Sequence, residues 1–191
     1  MLNVGILVFP FIEELDFIGP FEVLNYVNKI KPHSVRVQLI AKSFEPVQAF
    51  NGLRFLPDSK LEDVHALDIL VIPGGKGRLA AMHDSSYLTF LTRIFPTCTH
   101  VASVCTGAFL LAEAGFLANK IVTTHHAALN ELRQYPNVQV VGNTKVIADG
   151  KIITSAGVSS GIDLGLFLLE TYFDRACAEL VANSTEYSIE Y

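Results

Sequence analysis

The chain has 191 residues, of which 50% are hydrophobic and 17% charged, and its formal net charge is −5 at pH 7. This length suits one compact domain, and we expect residues 1–191 to form it. The low charge and the mean hydropathy of +0.38 exclude an intrinsically disordered chain. The acidic balance argues against a nucleic-acid partner, because proteins that bind the phosphate backbone usually carry a basic excess.

Three cysteines, Cys98, Cys105 and Cys177, are too few and too odd a number for a disulfide framework, so we predict reduced thiols. No basic segment precedes an apolar stretch at the N-terminus, and we expect no signal peptide. No apolar run approaches the roughly 18 residues that a membrane span needs. We therefore expect a cytoplasmic protein that does not bind a membrane.

Strand-like and helix-like segments alternate along the chain. In chain order, we predict strand Val4–Phe9, helix Gly19–Asn28, strand Val35–Leu39, strand Ile69–Ile72, helix Tyr87–Phe95, strand His100–Val104, helix Thr106–Ala114, strand Ile121–Thr124, helix Ala127–Arg133, helix Ser159–Tyr172 and helix Asp174–Asn183. The first strand and the two before and after Tyr87–Phe95 are almost wholly apolar, which is typical of parallel strands covered on both faces. This alternation predicts an α/β fold with a mainly parallel sheet.

Two short turns predict hairpins. Asn51-Gly52 separates the strand-like segments 47–50 and 53–56, and Asp149-Gly150 separates 144–148 from 151–154. Asn, Asp and Gly accept the positive φ angles that two-residue hairpin loops require. The helix at Gly19 is predicted to begin with Pro20 in its first turn, where proline is tolerated. Residues 186–191 show no periodicity and are predicted either to fray or to pack on a partner.

The segment Ser103-Val104-Cys105-Thr106-Gly107 has the pattern of a nucleophile elbow between a strand and a helix. Cys105 would lie at the carboxyl edge of the sheet, where α/β proteins bind ligands. Its position at a helix N-terminus would lower the pKa of the thiol. The alternative is a small buried cysteine in an ordinary turn, which is how we interpret Cys98 and Cys177.

Two further segments reach the same edge. Pro73-Gly74-Gly75 follows an apolar strand, and its N–H groups could point into a cleft as an oxyanion hole requires. Asp16 follows the first strand and could exchange a proton with the thiol, although a helix-capping acid is an equal alternative. Lys76 and Arg78 would line the mouth of the cleft or lie on the solvated surface.

Two adjacent histidines, His125 and His126, follow a later strand. Neighbouring residues on an extended chain point in opposite directions, so at most one should face the site. No His or Cys cluster has the spacing of metal ligands, and we expect neither a metal nor a cofactor.

The motifs together resemble the isonitrile hydratase-like branch of the PfpI-like, class I glutamine amidotransferase-like superfamily. They are Leu15–Leu24, Pro73–Gly75, Ser103–Gly107, Thr123–His125 and Ala156–Asp163, in this order. The resemblance covers nearly the whole chain and also extends to the sensor half of AraC-type regulators. It implies a flavodoxin-like three-layer α/β/α sandwich and a homodimer.

The same resemblance implies roles for individual residues. Cys105 would be the nucleophile, Asp16 its acid–base partner, and Thr106 an assisting hydroxyl or N–H donor. Gly74, Gly75 and His125 would contact the substrate, a small molecule. The resemblance therefore implies hydration of an isonitrile to a formamide, and Thr106 in the place of a histidine argues against protease and glyoxalase activities.

This chain departs from the family pattern at two places, and two alternative functions stay open. Relatives often carry Trp where this chain has His126, and more glycine in the segment 154–157, so the pocket could differ. A non-catalytic sensor of a ligand or of oxidation is one alternative, and hydrolysis or lyase chemistry on another small electrophile is the other. The chain is also more apolar than a small monomer needs, notably at Phe11, Phe17 and Phe21. We therefore predict that part of this apolar surface is buried in a homodimer interface.

Overall fold

The computed structural model describes residues 1–189, and residues 190 and 191, the end of the aperiodic segment 186–191, lie outside that range. A seven-stranded sheet in the order β10-β11-β7-β6-β1-β2-β5 forms its centre. All neighbours are parallel except β10 and β11. The strands are β1 Leu2–Leu7, β2 Val35–Ala41, β3 Val47–Gln48, β4 Arg54–Phe55, β5 Ser59–Lys60, β6 Ile69–Ile72, β7 His100–Val104, β8 Lys120–Val122, β9 Val138–Val140, β10 Val146–Asp149 and β11 Ile152–Ser155.

Helices cover both faces of this sheet. They are α1 Glu14–Tyr26, α2 Arg78–Ala81, α3 Ser85–Ile94, α4 Ala108–Glu113, α5 Leu129–Leu132, α6 Ser160–Tyr172 and α7 Arg175–Ser184. Helices α1, α6 and α7 pack together, and α3 packs against α4. The central strands β1, β6 and β7 are buried over most of their length, as their apolar sequences predict. The predicted flavodoxin-like α/β/α sandwich is confirmed.

Helix α1 begins five residues earlier than predicted, so Pro20 lies inside the helix rather than in its first turn. Pro20 has no N–H to donate to the Asp16 carbonyl four residues before it. Gly161 of α6 passes over this turn, and a Cβ on it would lie 3.0 Å from Pro20 Cδ. The two helices therefore pack closely at the turn where this hydrogen bond is missing. The longer helix places Asp16 in a buried first turn.

Both predicted hairpins form, with different loops. Strands β3 and β4 are joined by a five-residue loop, in which only Gly52 has a positive φ, +103°. The second loop is Gly150-Lys151 rather than Asp149-Gly150, because Asp149 pairs with Ile152. A glycine at the first loop position, with φ +64°, suits a type II′ turn.

The strand predicted after α4 forms as β8 but lies outside the main sheet. It pairs in parallel with β9, which the sequence did not predict, and the two form a separate ribbon. Strand β8 of this ribbon packs against the β10–β11 hairpin. Within residues 1–189 no helix is both long and apolar enough to cross a membrane.

Candidate active site

Cys105 lies at a sharp turn between β7 and α4. Its φ is +55°, in the left-handed region that residues other than glycine rarely adopt. The turn passes close to β6, because a Cβ on Gly107 would collide with the carbonyl oxygen of Ile72. The backbone N–H of Cys105 donates to the carbonyl of Ala156 at 2.9 Å. The strained geometry and the glycine it requires match the elbow that the sequence predicted.

Asp16 is completely buried at the start of α1. Its Oδ2 accepts a hydrogen bond of 2.9 Å from the N–H of Gly74. The Cys105 thiol lies against the same carboxyl and stabilises its charged form, although Oδ1 receives no hydrogen bond of regular geometry within residues 1–189. Catalytic hydrogen bonds are often long before substrate binds. The structure thus brings together the acid and the thiol, 89 positions apart in the chain.

Burial raises the pKa of Asp16 to about 7, against the lowering effect of the Gly74 hydrogen bond. The nearby charge of Glu13 raises it further. A carboxyl group with such a pKa is present in both protonation states near neutral pH. It can therefore accept and return a proton, as a general acid–base group must.

The Cys105 thiol differs from the sequence prediction. It is 6% exposed, and burial, followed by the charge of Asp16, raises its pKa to about 12. The predicted lowering of the thiol pKa at a helix N-terminus is present, because the N–H of Thr106 favours the thiolate. Desolvation of the buried thiol raises the pKa by more than this N–H lowers it. The resting sulfur is therefore a protonated thiol and needs a base before it can attack.

Gly74 and Gly75 were predicted to direct N–H groups into the cleft. Instead, Gly74 donates to Asp16, and Gly75 donates to Thr106 Oγ1 at 3.1 Å. Gly75 has φ +110°, and a Cβ there would clash with the backbone of Glu13. The two glycines thus hold the acid and the threonine hydroxyl in position, and only Gly75 lines the cavity.

Val158 is a site residue that sequence reasoning did not single out. Its backbone N–H lies near the Cys105 sulfur and favours the thiolate. Val158 has φ +39°, which is unusual for a β-branched residue. A strained backbone that aims an N–H at the reactive atom is characteristic of functional sites. No residue pattern in the loop before α6 signals this geometry.

A cavity of about 290 Å³ opens over the Cys105 sulfur. Its lining comprises Glu13, Gly75, Lys76, Arg78, Leu79, Cys105, Thr106, His125 and Val158. Arg78 is buried, forms a two-point ion pair with Glu131 at 2.6 and 2.8 Å, and lies 3.8 Å over the Phe109 ring. The cavity is therefore lined by an arginine that its ion pair with Glu131 holds in place, and by the Cys105 thiol.

His125 lines this cavity and His126 does not, so one of the two faces the thiol, as predicted. Their rings nevertheless lie side by side, with centroids 4.2 Å apart, because a turn beginning at His126 ends the extended conformation. His125 Nδ1 accepts from the N–H of Ala127 at 3.2 Å, which places the proton of the neutral ring on Nε2. Burial, then His126, lowers the pKa of His125, so it is a neutral donor.

The other candidate residues lie elsewhere. Cys98 and Cys177 are buried away from the cavity, and burial raises the pKa of Cys98 to about 11. Within residues 1–189 no three His, Cys, Asp or Glu side chains cluster closely enough to hold a metal ion. Phe17, predicted to be exposed, is buried and packs on Phe55 with ring centroids 4.6 Å apart. Phe11 is 52% exposed and Phe21 is half-buried.

The raised pKa of Asp16 predicts a stability cost at neutral pH. The folded state binds more protons than the unfolded state between pH 3.8 and about 7, so stability falls as pH rises through this range. The full cost above pH 7 is about 4 kcal/mol. Asp16→Asn should therefore raise the melting temperature at pH 8 and change it little at pH 4. An equal change in melting temperature at pH 4 and pH 8 would contradict the raised pKa of Asp16.

An elbow thiol paired with a buried carboxyl, at the carboxyl edge of a parallel sheet, defines a class of α/β proteins with cysteine-centred sites. The chain belongs to the DJ-1/PfpI family, whose model matches residues 3–171.

Two relatives and two solved structures are informative. The chain is 34% identical to an isonitrile hydratase of Pseudomonas putida over 187 residues, which is 98% of this chain and 79% of that protein. It is 29% identical to the HTH-type transcriptional regulator CdhR of Pseudomonas aeruginosa, covering 85% of this chain and 48% of the regulator. A THiJ/PfpI family protein of Pseudomonas syringae superposes with a TM-score of 0.90 at 28% identity, over 100% of this chain and 76% of that one. DJ-1beta of Drosophila melanogaster shares the fold, with a TM-score of 0.86 at 23% identity and 98% coverage of both chains.

Proposed function

We propose that this protein hydrates an isonitrile to an N-substituted formamide, with Cys105 as nucleophile and Asp16 as the proton carrier. The observation that carries the proposal is the buried Asp16 carboxyl against the Cys105 thiol, with a pKa of about 7 that suits proton exchange. The similarity to an isonitrile hydratase over 98% of the chain supports this substrate class.

In the first step, ionised Asp16 takes the proton of the Cys105 thiol while the sulfur attacks the terminal carbon of the isonitrile. The N–H groups of Val158 and Thr106 favour the developing thiolate. Asp16 then delivers the proton to the same carbon, which carries the electron pair. The result is a thioimidate, in which the carbon is bonded to sulfur and hydrogen and doubly bonded to nitrogen.

In the second step, water attacks the thioimidate carbon while Asp16 accepts a proton from the water, and Asp16 then passes this proton to the nitrogen. Collapse of the tetrahedral intermediate breaks the carbon–sulfur bond, releases the formamide and returns a proton to Cys105. Neutral His125, with its proton on Nε2, is placed at the cavity wall to donate a hydrogen bond to the substrate nitrogen or the attacking water. One water is consumed, and Asp16 and Cys105 return to their starting protonation states.

The assay is purified protein with an alkyl isonitrile such as cyclohexyl isonitrile, with formamide followed by proton NMR. We expect formamide to accumulate in proportion to enzyme concentration. The absence of turnover over several alkyl and aryl isonitriles would refute the proposed activity.

A second candidate function is a ligand sensor without catalysis, which the similarity to the regulator CdhR favours. The chain spans about half the length of that regulator. A sensor would bind an isonitrile or another small electrophile in the same cavity without forming product. Saturable binding of the isonitrile by calorimetry, with no formamide formed, would decide for this alternative.

An oxidation sensor requires a readily ionised thiol, because the thiolate is the form that peroxide attacks. The pKa of Cys105, raised to about 12 by burial and by Asp16, opposes this role. We therefore predict that one hour in mild peroxide at pH 7 leaves Cys105 mostly unmodified, at a level similar to Cys98 and Cys177. Selective oxidation of Cys105, measured by peptide mass spectrometry, would contradict this prediction.

We further propose a cytoplasmic homodimer. The three free thiols suit a reducing compartment. Large apolar side chains stay exposed near the first hairpin and the start of α1, at Phe11, Ile18, Phe50, Leu53 and Leu56, and such clusters mark interfaces. Sedimentation analysis should give twice the mass of the chain, and a monomer at micromolar concentration would contradict the proposal.

A further inference from the structure

The side chain of His125 borders two cavities. One is the cavity of about 290 Å³ over the Cys105 thiol. The other, of about 790 Å³, lies between the end of β8, the β9–β10 loop and the loop before α6. His125 is partly exposed, and its two rotatable bonds allow the ring to turn into either space. The position of the ring over the thiol therefore depends on the contacts that hold it.

The ring of His125 lies directly against the backbone of Gly157. A Cβ on this glycine would overlap Cδ2 of the ring and would lie 3.1 Å from Nε2, the nitrogen that carries the proton. The three atoms nearest to such a Cβ all belong to the His125 ring. Any side chain at position 157 would therefore displace the ring at the edge that includes its donor atom.

Two further contacts hold the rest of the ring. On the opposite edge, Nδ1 of His125 accepts from the N–H of Ala127 at 3.2 Å. The His126 ring lies alongside, with the two centroids 4.2 Å apart. These contacts fix one nitrogen and one face, and the contact with Gly157 fixes the remaining edge.

The loop that carries Gly157 also contacts the elbow. Before the glycine, the carbonyl of Ala156 accepts from the N–H of Cys105 at 2.9 Å. After it, the N–H of Val158 lies near the Cys105 sulfur. The N–H of Ala156 donates to the carbonyl of Lys145 at 2.9 Å, which ties the loop to the residue before β10. Three consecutive residues thus fix the imidazole and the thiol relative to one another.

We propose that Gly157 is a positioning residue, whose missing side chain lets the His125 ring lie where its Nε2–H reaches the isonitrile nitrogen. This inference rests on the proposed function and adds to it the means by which the hydrogen-bond donor is placed. The substrate nitrogen gains negative charge as water adds to the thioimidate, so the hydrogen bond is strongest in that transition state. A donor that is already in place then needs no reorganisation.

Gly157→Ala tests the proposal. Gly157 is not among the glycines with positive φ, so alanine is compatible with the backbone and disturbs the contact with the ring. We expect kcat for formamide formation to fall about tenfold, the contribution of one hydrogen bond, with a smaller change in KM. Side-chain nitrogen NMR should show that His125 loses its preference for the form protonated on Nε2, because the displaced ring no longer accepts from Ala127.

A double-mutant cycle with His125→Ala separates positioning from a general loss of structure. Once the ring is removed, the added Cβ has free space. The combined variant should therefore match His125→Ala in kcat and in free energy of unfolding. Gly142→Ala is the matched control, because its Cβ would lie 3.1 Å from a Leu129 methyl group and near no atom of His125. It should keep the wild-type rate and the wild-type His125 signal.

An unchanged His125 signal in Gly157→Ala, or additive effects of the two substitutions on the free energy of unfolding, would overturn the inference. If Gly157→Ala alone does not fold, the combined variant must fold as well as His125→Ala, and its failure to do so would also overturn it. The NMR and unfolding measurements need no turnover. A lost Nε2–H form and a non-additive cycle without formamide would support the contact and refute the hydratase proposal. Turnover with an additive cycle would do the reverse.

Discussion

Replacing Cys105 by Ala or Ser is expected to lower the rate of isonitrile hydration by at least about 10³-fold, because the covalent step then has no thiol. Serine keeps the size and the buried position but is a much weaker nucleophile. The cavity and Asp16 stay in place, so both variants should still bind a formamide product. Steady-state formamide production by NMR, with product binding by calorimetry, measures the two effects separately.

The matched control is Cys177→Ala, which removes another buried thiol on α7, away from the cavity. It should keep the wild-type rate at a temperature where it stays folded. Hydration that survives in Cys105→Ala, or that is lost equally in Cys177→Ala, would contradict a nucleophilic role for Cys105.

Asp16→Asn is expected to lower kcat/KM by about 10²–10⁴-fold, the usual contribution of a positioned general acid–base group. The amide oxygen can still accept the Gly74 hydrogen bond, so the elbow and the cavity should keep their geometry. With a thiol pKa of about 12, no other path to the thiolate is efficient at neutral pH.

The pH profile separates this role from a structural one. Asp16 must be ionised to accept the thiol proton, and burial raises its pKa to about 7. In the wild type, kcat/KM should therefore rise with pH and level off above about 7. Asp16→Asn should lose this dependence along with the rate.

Glu14→Gln is the control on the same helix turn. The Glu14 carboxylate accepts the N–H of Asn51 at 2.8 Å, outside the cavity. This variant should keep both the rate and the rise toward pH 7. A wild-type profile that is flat from pH 5 to 9, or a normal rise in Asp16→Asn, would show that Asp16 is not the base.

The buried parallel strands of the sheet were predictable because their signals are local and strong. The apolar runs that became β6 and β7 leave no helical face, and Gly115 at φ +77° ends α4 as a cap. The elbow was predictable too, since small residues flank Cys105. Such patterns depend on near neighbours in sequence, which a single chain displays directly.

Errors arose where tertiary contacts decided the outcome. Proline propensity placed the start of α1 too late, since Pro20 lies inside a helix that packs closely on Gly161, 141 residues further on. The position of Cys105 at a helix N-terminus predicted a lowered thiol pKa, but burial and the Asp16 charge raise it instead. Neither the burial of the thiol nor its distance from Asp16 can be obtained from the sequence around the cysteine.

The directions of the N–H donors could not be predicted either, because they too depend on tertiary contacts. The glycines of the Pro73–Gly75 turn are engaged by Asp16 and Thr106, which the sequence could not reveal. The N–H of Val158 contributes through a strained backbone angle rather than through its side chain. Residue identity predicts which groups carry chemistry, and the packed fold decides where their donors point.

The most direct measurement is rapid acid quenching of wild-type protein mixed with an alkyl isonitrile, followed by peptide mass spectrometry. Cysteine addition predicts a transient species heavier by the mass of one isonitrile, located on the peptide containing Cys105, that appears before formamide and decays as formamide forms. Formamide that accumulates from the first turnover with no adduct on Cys105 would contradict covalent catalysis at this elbow.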